Sequence, residues 1–442
     1  MKIILRILSV FLMMWCLSLL TSCKKSSDSP NVSGINPFSN GGNERNMIVV
    51  ISDMHMGADL TYAECKNNIA PLEKLIKQIK VSPNVKELVI AGDLIDEWFV
   101  PATVNTFEGS TQADFAHRVA TTNAGVFDAL NSIIQEEKIL VTYVPGNHDL
   151  VITADDIESV LPGINQSREA SLGLGAYSPA NCPKIIIEHG HRYNFFCAPD
   201  PISNQDIAHG TILPPGYFYT RIAALWMKQG MPSTPHTIPI LTLDGSASES
   251  QDLLFRYWKD WAGVTHSYPI TNAFDENIIV TNVNGFTGTY SVNDLLPYQS
   301  NPGGLIDVNL FKGIQDNWES RQTLNNVAVH MSSTIAIDST GADTWTDQQS
   351  VIQYFINPNS DKRIVVFGHT HKPLLFAALS NDNKKCIYAN SGAWIDTQPH
   401  QITRDFVVIT PQSSDVSSQT YVKLYNFKYE VVNIMAEDSL RY

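Results

Sequence analysis

The sequence predicts an α/β fold built on a parallel sheet, and three observations predict it. Short, continuous apolar runs of strand length alternate with stretches of helical periodicity. Each apolar run stops at a polar motif. A long Pro-rich stretch of different texture, residues 198–360, separates the early units from the late ones.

Met47 to Ser52 is the first apolar run and ends at Asp53. Tyr62 to Val81 then places Ile69, Leu72, Leu75, Ile76 and Ile79 at helical spacing, and Val85 to Ala91 is a second strand that ends at Gly92-Asp93. Phe115, Val119, Val126, Phe127, Leu130, Ile133 and Ile134 share one helical face before the strand Ile139 to Val144, which runs into Gly146-Asn147-His148-Asp149. Strand, helix, strand, helix, strand predicts parallel pairing with right-handed crossovers, and such sheets place ligands at the carboxyl ends of their strands. Two later strands repeat the plan: Lys184 to Glu188 leads into His189-Gly190-His191, and Arg363 to Phe367 leads into Gly368-His369-Thr370-His371. Cys386 to Ala389, Phe406 to Thr410 and Tyr421 to Ile434 predict the antiparallel part of a sandwich. Within residues 198–360, Asp252 to Trp261 reads as a short amphipathic helix with Leu253, Leu254, Tyr257, Trp258 and Trp261 on one side, its aromatics serving as packing.

A chain of 442 residues exceeds one ordinary core and suits a large α/β domain carrying an insertion. Its amino terminus reads as a separate object. Lys2 and Arg6 precede an uncharged apolar run from Ile7 to Leu20, shorter than a membrane span requires, which predicts a secretion signal. The order of parts is then a signal at 1–22, a flexible Ser/Asn/Gly/Pro-rich tether at 23–45, a first core segment at 46–197, a substrate-selecting insertion at 198–360 and a second core segment at 361–442. Loss of Lys2 and Arg6 with the signal moves the formal charge from -14 to -16. So acidic a chain has no electrostatic reason to seek polyanions, and DNA or RNA is discounted as a partner. Of the six cysteines, Cys65, Cys182, Cys197 and Cys386 would face an oxidising compartment; Cys182 with Cys197 is one pairing to test, four free thiols the other expectation.

The strand-end motifs carry the chemistry. Asp53 and His55 lie two apart and can grip one ion, while the two oxygens of Asp93 can bridge two. Asn147, His189, His369 and His371 complete an oxygen-and-nitrogen donor set without thiolate, which suits two borderline divalent ions such as Mn, Fe or Zn. His148 can hold or move a proton, and Asp149 can fix its tautomer.

These five motifs in this order, Asp53-x-His55, Gly92-Asp93, Gly146-Asn147-His148-Asp149, His189 and Gly368-His369-x-His371, resemble the calcineurin-like metallophosphoesterase superfamily. Asn390-Ser391-Gly392-Ala393-Trp394 resembles the segment that follows its last histidine motif. The resemblance implies a four-layer α/β/β/α sandwich and a dinuclear site, with one ion held by Asp53, His55, Asp93 and His371 and the other by Asp93, Asn147, His189 and His369. It implies hydrolysis of a small phosphate-containing substrate through a metal-bound hydroxide, with His148 acting on the phosphoryl group or leaving group and Asp149 raising its basicity. Asp96, Trp98 and His189-Gly190 partly resemble the UDP-2,3-diacylglucosamine pyrophosphohydrolase branch, which has Asp where this chain has His191; Asp96 is expected as a substrate contact, and His191 as a substrate contact, a partner of the ligands or a structural histidine. Leu20-Thr21-Ser22-Cys23 resembles the lipobox of bacterial lipoproteins, which implies acylation of Cys23 and an extracytoplasmic anchor in the cell envelope, with Lys24 resembling outer-membrane sorting. Two other readings stand beside a tethered phosphoesterase: a pyrophosphohydrolase acting on a nucleotide- or lipid-linked substrate, and a non-catalytic binding lipoprotein. The presence of every expected ligand together with His148 argues against the last. Oligomeric state is left open.

Overall fold

The computed structural model describes residues 36–243, 247–340, 345–396, 403–428 and 431–442. The predicted signal and Cys23 lie outside the described residues. The first core segment runs β1 (Met47–Ile51), α1 (Ile69–Lys80), β2 (Val85–Ala91), α2 (Gln112–Thr122), α3 (Ala124–Glu136), β3 (Leu140–Val144), α4 (Ala154–Val160), β4 (Asn165–Gln166), β5 (Ala176–Tyr177) and β6 (Ile185–Glu188). The insertion adds α5 (Pro215–Lys228), α6 (Glu249–Ser267), the ribbon β7–β8 (Ile279–Val280 with Thr289–Tyr290), α7 (Val292–Leu295), the ribbon β9–β10 (Tyr298–Gln299 with Ile306–Asp307), α8 (Trp318–Leu324), α9 (Ser333–Thr340) and α10 (Trp345–Ser350). The last segment supplies β11 (Ile364–Phe367), β12 (Leu374–Leu379), β13 (Lys385–Asn390), β14 (Asp405–Thr410), β15 (Thr420–Lys428) and β16 (Val431–Leu440).

Two sheets result, ordered β16-β15-β14-β1-β2-β3-β4 and β12-β13-β11-β6-β5. Pairing is parallel along β1, β2, β3 and β4 and along β6, β11 and β13, with antiparallel strands at the edges. Side chains alternate across a strand, so each sheet has two apolar faces to cover. Ile48, Val50, Val89 and Val144 of the first sheet share one core with Ile185, Ile187, Val366 and Ile387 of the second, which places the sheets face to face. The outer face of the first packs on α1 and α3, through Leu75, Ile76, Leu130 and Ile133. The outer face of the second packs Val365, Phe367 and Tyr388 against Tyr193 and Phe355. Four layers, α/β/β/α, follow. Register aligns the strand ends, with Ala91 beside Val144 and Phe367 beside Asn390, so all five motifs emerge along one rim.

Several expectations need correction. The helical face from Phe115 to Ile134 belongs to two helices, because Asn123 interrupts it and donates from Nδ2 to Gly57 O and Val119 O. Tyr421 to Ile434 is a hairpin, β15 and β16, and the Cys386 strand pairs parallel with β11 in the second sheet. The Asp252 helix extends from Glu249 to Ser267. The insertion also carries two short ribbons, and its Phe218, Trp261 and Phe286 share the core that lies under α1 and α3. Cys65, Cys182, Cys197 and Cys386 are free, so Cys182 and Cys197 do not pair.

The predicted tether fails at its carboxyl end. Phe38 is only 1% exposed and packs against Phe406 at 5.7 Å between ring centroids, while Ser82 Oγ donates to its carbonyl at 2.7 Å. A run with almost nothing apolar holds its one large ring in the core. Phe38→Ala is expected to lower unfolding stability in urea by about 3 kcal/mol; a loss below about 0.5 kcal/mol, the range of ordinary surface changes, would return residues 36–45 to the tether.

Candidate metal centre

The five motifs meet where the strands end. Donor atoms of Asp53, His55, Asp93 and His371 lie within 4.8 Å of one another. His371 Nε2 is 3.2 Å from Asp53 Oδ1 and 3.1 Å from His55 Nε2. Beside them, His189 Nε2 is 3.1 Å from Asp93 Oδ2 and 3.0 Å from Asn147 Oδ1, and His369 Nδ1 is 2.8 Å from the same Asn147 oxygen. The two ligand sets implied by the resemblance are thus adjacent, with Asp93 between them.

Local backbone is bent to achieve this. Asp53, His55, Asp93, His369 and His371 all have positive φ, between 47° and 68°, a region costly for residues with a Cβ and one that clusters at functional sites. Gly146 fits for another reason: a Cβ there would overlap Asp93 Oδ1 and the Asp93 backbone nitrogen. The last loop is tied to the first by Trp394 N donating to Asp53 O at 2.9 Å, and by Ser391 and Ser52 hydroxyls 2.7 Å apart. Asn390 Nδ2 donates to Gly368 O and Thr370 Oγ1, which fixes the turn that presents His369 and His371.

The donor set fits divalent metal. Asp93 is 1% exposed; its Oδ1 accepts from His148 N at 2.8 Å, but its Oδ2 has no hydrogen-bond partner among the described residues and faces the imidazoles of His55 and His189. A buried carboxylate oxygen left so is costly unless a cation meets it. His189 Nδ1 donates to Ala91 O, and His55 Nδ1 donates to Asp96 Oδ2, so in both rings Nε2 keeps its lone pair for the centre.

His148 carries a second correction. Its Nδ1 donates to Asp96 Oδ1 at 2.8 Å, and Asp149 turns elsewhere, accepting from Gly146 N at 2.6 Å and Leu94 N at 2.8 Å. Asp149 therefore braces the loop and does not orient His148. Asp96, expected as a substrate contact, is the orienting carboxylate, and its Oδ1 also accepts from Trp98 N and Phe99 N. Burial works to raise the Asp96 carboxyl, but His148 and His55 outweigh it and hold it well below the usual range. For His148, burial works downward and Asp96 overcomes it, so the imidazole lies above its ordinary value. Trp98 stacks on the His148 ring at 5.1 Å.

His191 does not line the pocket. Its buried ring stands 5.3 Å from that of His189, and neither nitrogen has a hydrogen-bond partner among the described residues. His209, His236, His266 and His330 do not line it either. Sequence reading missed Glu64, whose Oε2 is 3.4 Å from His55 Nδ1, and Asn194, Cys197, Gly216, Tyr219 and Thr220, which line the same cavity of about 290 Å³. No motif marks them; Gly216, Tyr219 and Thr220 come in through the packing of α5 against the rim, and Glu64, Asn194 and Cys197 from loops.

A rim of candidate metal ligands on an α/β/β/α sandwich is consistent with a metallophosphoesterase fold. Residues 47–243 match the family model described as calcineurin-like phosphoesterase, a family that acts on phosphate esters and uses divalent metals. Among solved structures, a single mutant of Vps29 from Entamoeba histolytica matches at 8% identity over 89% of this chain and 99% of that one, with a TM-score of 0.27. Comparison with curated proteins gives no match.

Glu97 gives a test of the wall beside the site. It is fully buried, accepts from Gln112 Nε2 at 3.0 Å, and burial, with Asp156, Asp149 and Asp96 adding to it, raises its carboxyl to about 8 against 4.5 for an ordinary glutamate. Between those values the folded chain holds a proton that the unfolded chain has released, so stability falls as pH rises through the window. Glu97→Gln is expected to raise the melting temperature relative to the parent more at pH 8 than at pH 5. An equal change at both would show that Glu97 ionises normally.

Proposed function

We propose that this chain hydrolyses a phosphate ester at a dinuclear metal centre on the extracytoplasmic side of the bacterial envelope. The observation that carries the chemistry is the partnerless Asp93 oxygen between two convergent donor groups. Asp53, His55, Asp93 and His371 would hold one divalent ion, and Asp93, Asn147, His189 and His369 the other. Ions so held polarise a phosphoryl oxygen and acidify a nucleophilic water.

The chain's own residues do the rest. Asp96 fixes His148 with Nδ1–H toward itself, so Nε2 is the atom presented to substrate. Protonated there, His148 donates to a phosphoryl oxygen or to the leaving oxygen as it gains charge. Because Asp96 also holds His55, one carboxylate sets both the ligand geometry and the proton donor. Trp98 covers one face of the imidazole and keeps water from it. Mn, Fe or Zn suits these donors.

The location rests on residues 1–22 and Cys23, whose apolar run and lipobox-like end support a cleaved, acylated amino terminus. Cys23→Ser is expected to move the protein from the membrane fraction to the soluble one; retention in the membrane would remove the lipid anchor from this reading.

Three variants separate the roles. Asp93→Ala is expected to lose bound metal. His148→Ala should keep metal and lose about 10²–10⁴-fold in turnover of bis-p-nitrophenyl phosphate. Asp96→Asn should lower turnover and weaken metal binding by about 10–100-fold through His55. Metal analysis beside turnover decides it: metal loss from His148→Ala equal to that from Asp93→Ala would place His148 among the ligands, and a parent chain inactive with Mn, Fe or Zn would remove the enzyme reading.

A further inference from the structure

One element of the insertion reaches the pocket through several side chains. Gly216, Tyr219 and Thr220 are spaced to lie on one face of α5, and that face forms a wall of the cavity. The opposite face is locked. Arg221, fully buried, donates to Pro101 O, Ala102 O, Val104 O and Val280 O, to Thr106 Oγ1 and to Tyr217 OH. Gly216 lies hard against the core: a Cβ there would stand 2.7 Å from Phe196 O and 3.2 Å from the Trp98 ring. Trp98 in turn stacks on His148. The wall is therefore held in fixed register with the group that acts on substrate.

The chemistry of that wall is specific. Trp98, Tyr219, Cys197 and Gly216 bring mainly ring and apolar surface, with the Trp98 indole N–H and the Tyr219 hydroxyl buried and without hydrogen-bond partners among the described residues, and Asn194 and Thr220 add two further polar groups. Asn194 Oδ1 accepts from Phe196 N at 3.0 Å; a backbone N–H can only donate, so the orientation of the amide is fixed and Nδ2 is the end left to donate. Thr220 Oγ1 donates to Gly216 O at 2.9 Å, which leaves its lone pairs to accept. Among the described residues, no Lys or Arg lines the cavity. Nor is the start of α5 an anion site: Pro215 has no N–H, Gly216 N donates to Phe196 O at 2.8 Å, and Tyr217 N donates to Pro214 O at 3.2 Å.

Resting on the phosphoesterase reading, we propose that α5, Trp98 and Asn194 form the leaving-group subsite, and that it selects phosphate esters of compact, uncharged, ring-faced alcohols. A pyrophosphate-linked substrate would bring a second phosphate to a wall that, among the described residues, offers no cation and no free helix terminus to meet it. About 290 Å³ is at the small end for ligand pockets, which also disfavours a nucleotide or a diacylated sugar as the leaving group. An aromatic wall whose polar groups, the Asn194 amide, the Thr220 and Tyr219 hydroxyls and the Trp98 indole N–H, are uncharged instead suits a flat ring bearing polar substituents.

The test uses two pairs of probes that differ by one charge on the leaving group. Phenylphosphonate and 4-carboxyphenylphosphonate report binding by calorimetry in the Mn-loaded protein, and the matching phosphate esters report kcat/KM. The parent is expected to prefer the uncharged member of each pair by about tenfold or more, because the extra carboxylate has no partner in the wall. Thr220→Lys should narrow that ratio or invert it, and Asn194→Leu should weaken both phosphonates. Equal affinity of the parent for the two phosphonates would overturn the proposal without any variant needing to fold. A folded Thr220→Lys, verified by thermal melting, that leaves the ratio unchanged would also overturn it. Selective binding without turnover of either ester would instead sink the phosphoesterase reading and leave the subsite standing.

Discussion

Four carboxylates, those of Asp53, Asp93, Asp96 and Asp149, are buried within one site, and the strand-end loops are shaped by the need to compensate each of them. Asp149 is answered by two backbone N–H groups, and Asp96 by two more together with His55 and His148. Asp53 accepts from His369 N and the Ser52 hydroxyl and faces His371. Asp93 is the exception: one oxygen is satisfied and the other is left open toward two imidazoles. The other three carboxylates are met by hydrogen-bond donors of the protein, so the open Asp93 oxygen is the one that fits a cation. Positive φ at five ligand positions follows from the same demand, because loops must turn sharply to aim donors inward from adjacent strand ends.

Most of this was legible in the sequence because strand, motif and rim obey one rule. An apolar run that stops at Asp53, Asp93, Asn147, His189 or His369 leaves its polar residues at the carboxyl end of a strand, and parallel pairing then brings those ends together. Every metal ligand named from the sequence is on that rim. What sequence adjacency could not give was the direction of side chains within a turn. Asp149 follows His148, so pairing the two was the natural reading, yet consecutive residues in a tight turn point apart. Asp96, three residues past Asp93 on a different loop, reaches His148 through space. No spacing in one chain encodes such a contact.

Other misreadings share a cause in single residues that override a pattern. Periodicity ran unbroken from Phe115 to Ile134, and one asparagine with two side-chain hydrogen bonds was enough to end a helix and begin another. Composition from Lys24 to Arg45 gave a tether, and one phenylalanine was enough to fold its last part onto the core. In both places local propensity was weak, so a single tertiary contact decided the outcome.

The insertion was the least legible part, and the reason is physical. Its residues pack into the same core as α1 and α3, so their apolar pattern reports burial, and burial reads alike whether or not the far side of a helix faces a pocket. On α5 the conspicuous residues, Tyr217, Phe218 and Arg221, are structural, while those that reach the cavity include a glycine and a threonine that no motif search would select. Arg221 and Gly216 hold α5 to Trp98, Trp98 lies on His148, and His148 shares Asp96 with a metal ligand. A shift of α5 would therefore move His148 as well as the wall. The insertion wall and the strand-end motifs thus share one column of contacts, so a change in α5 is felt at His148 even where no strand-end motif is touched.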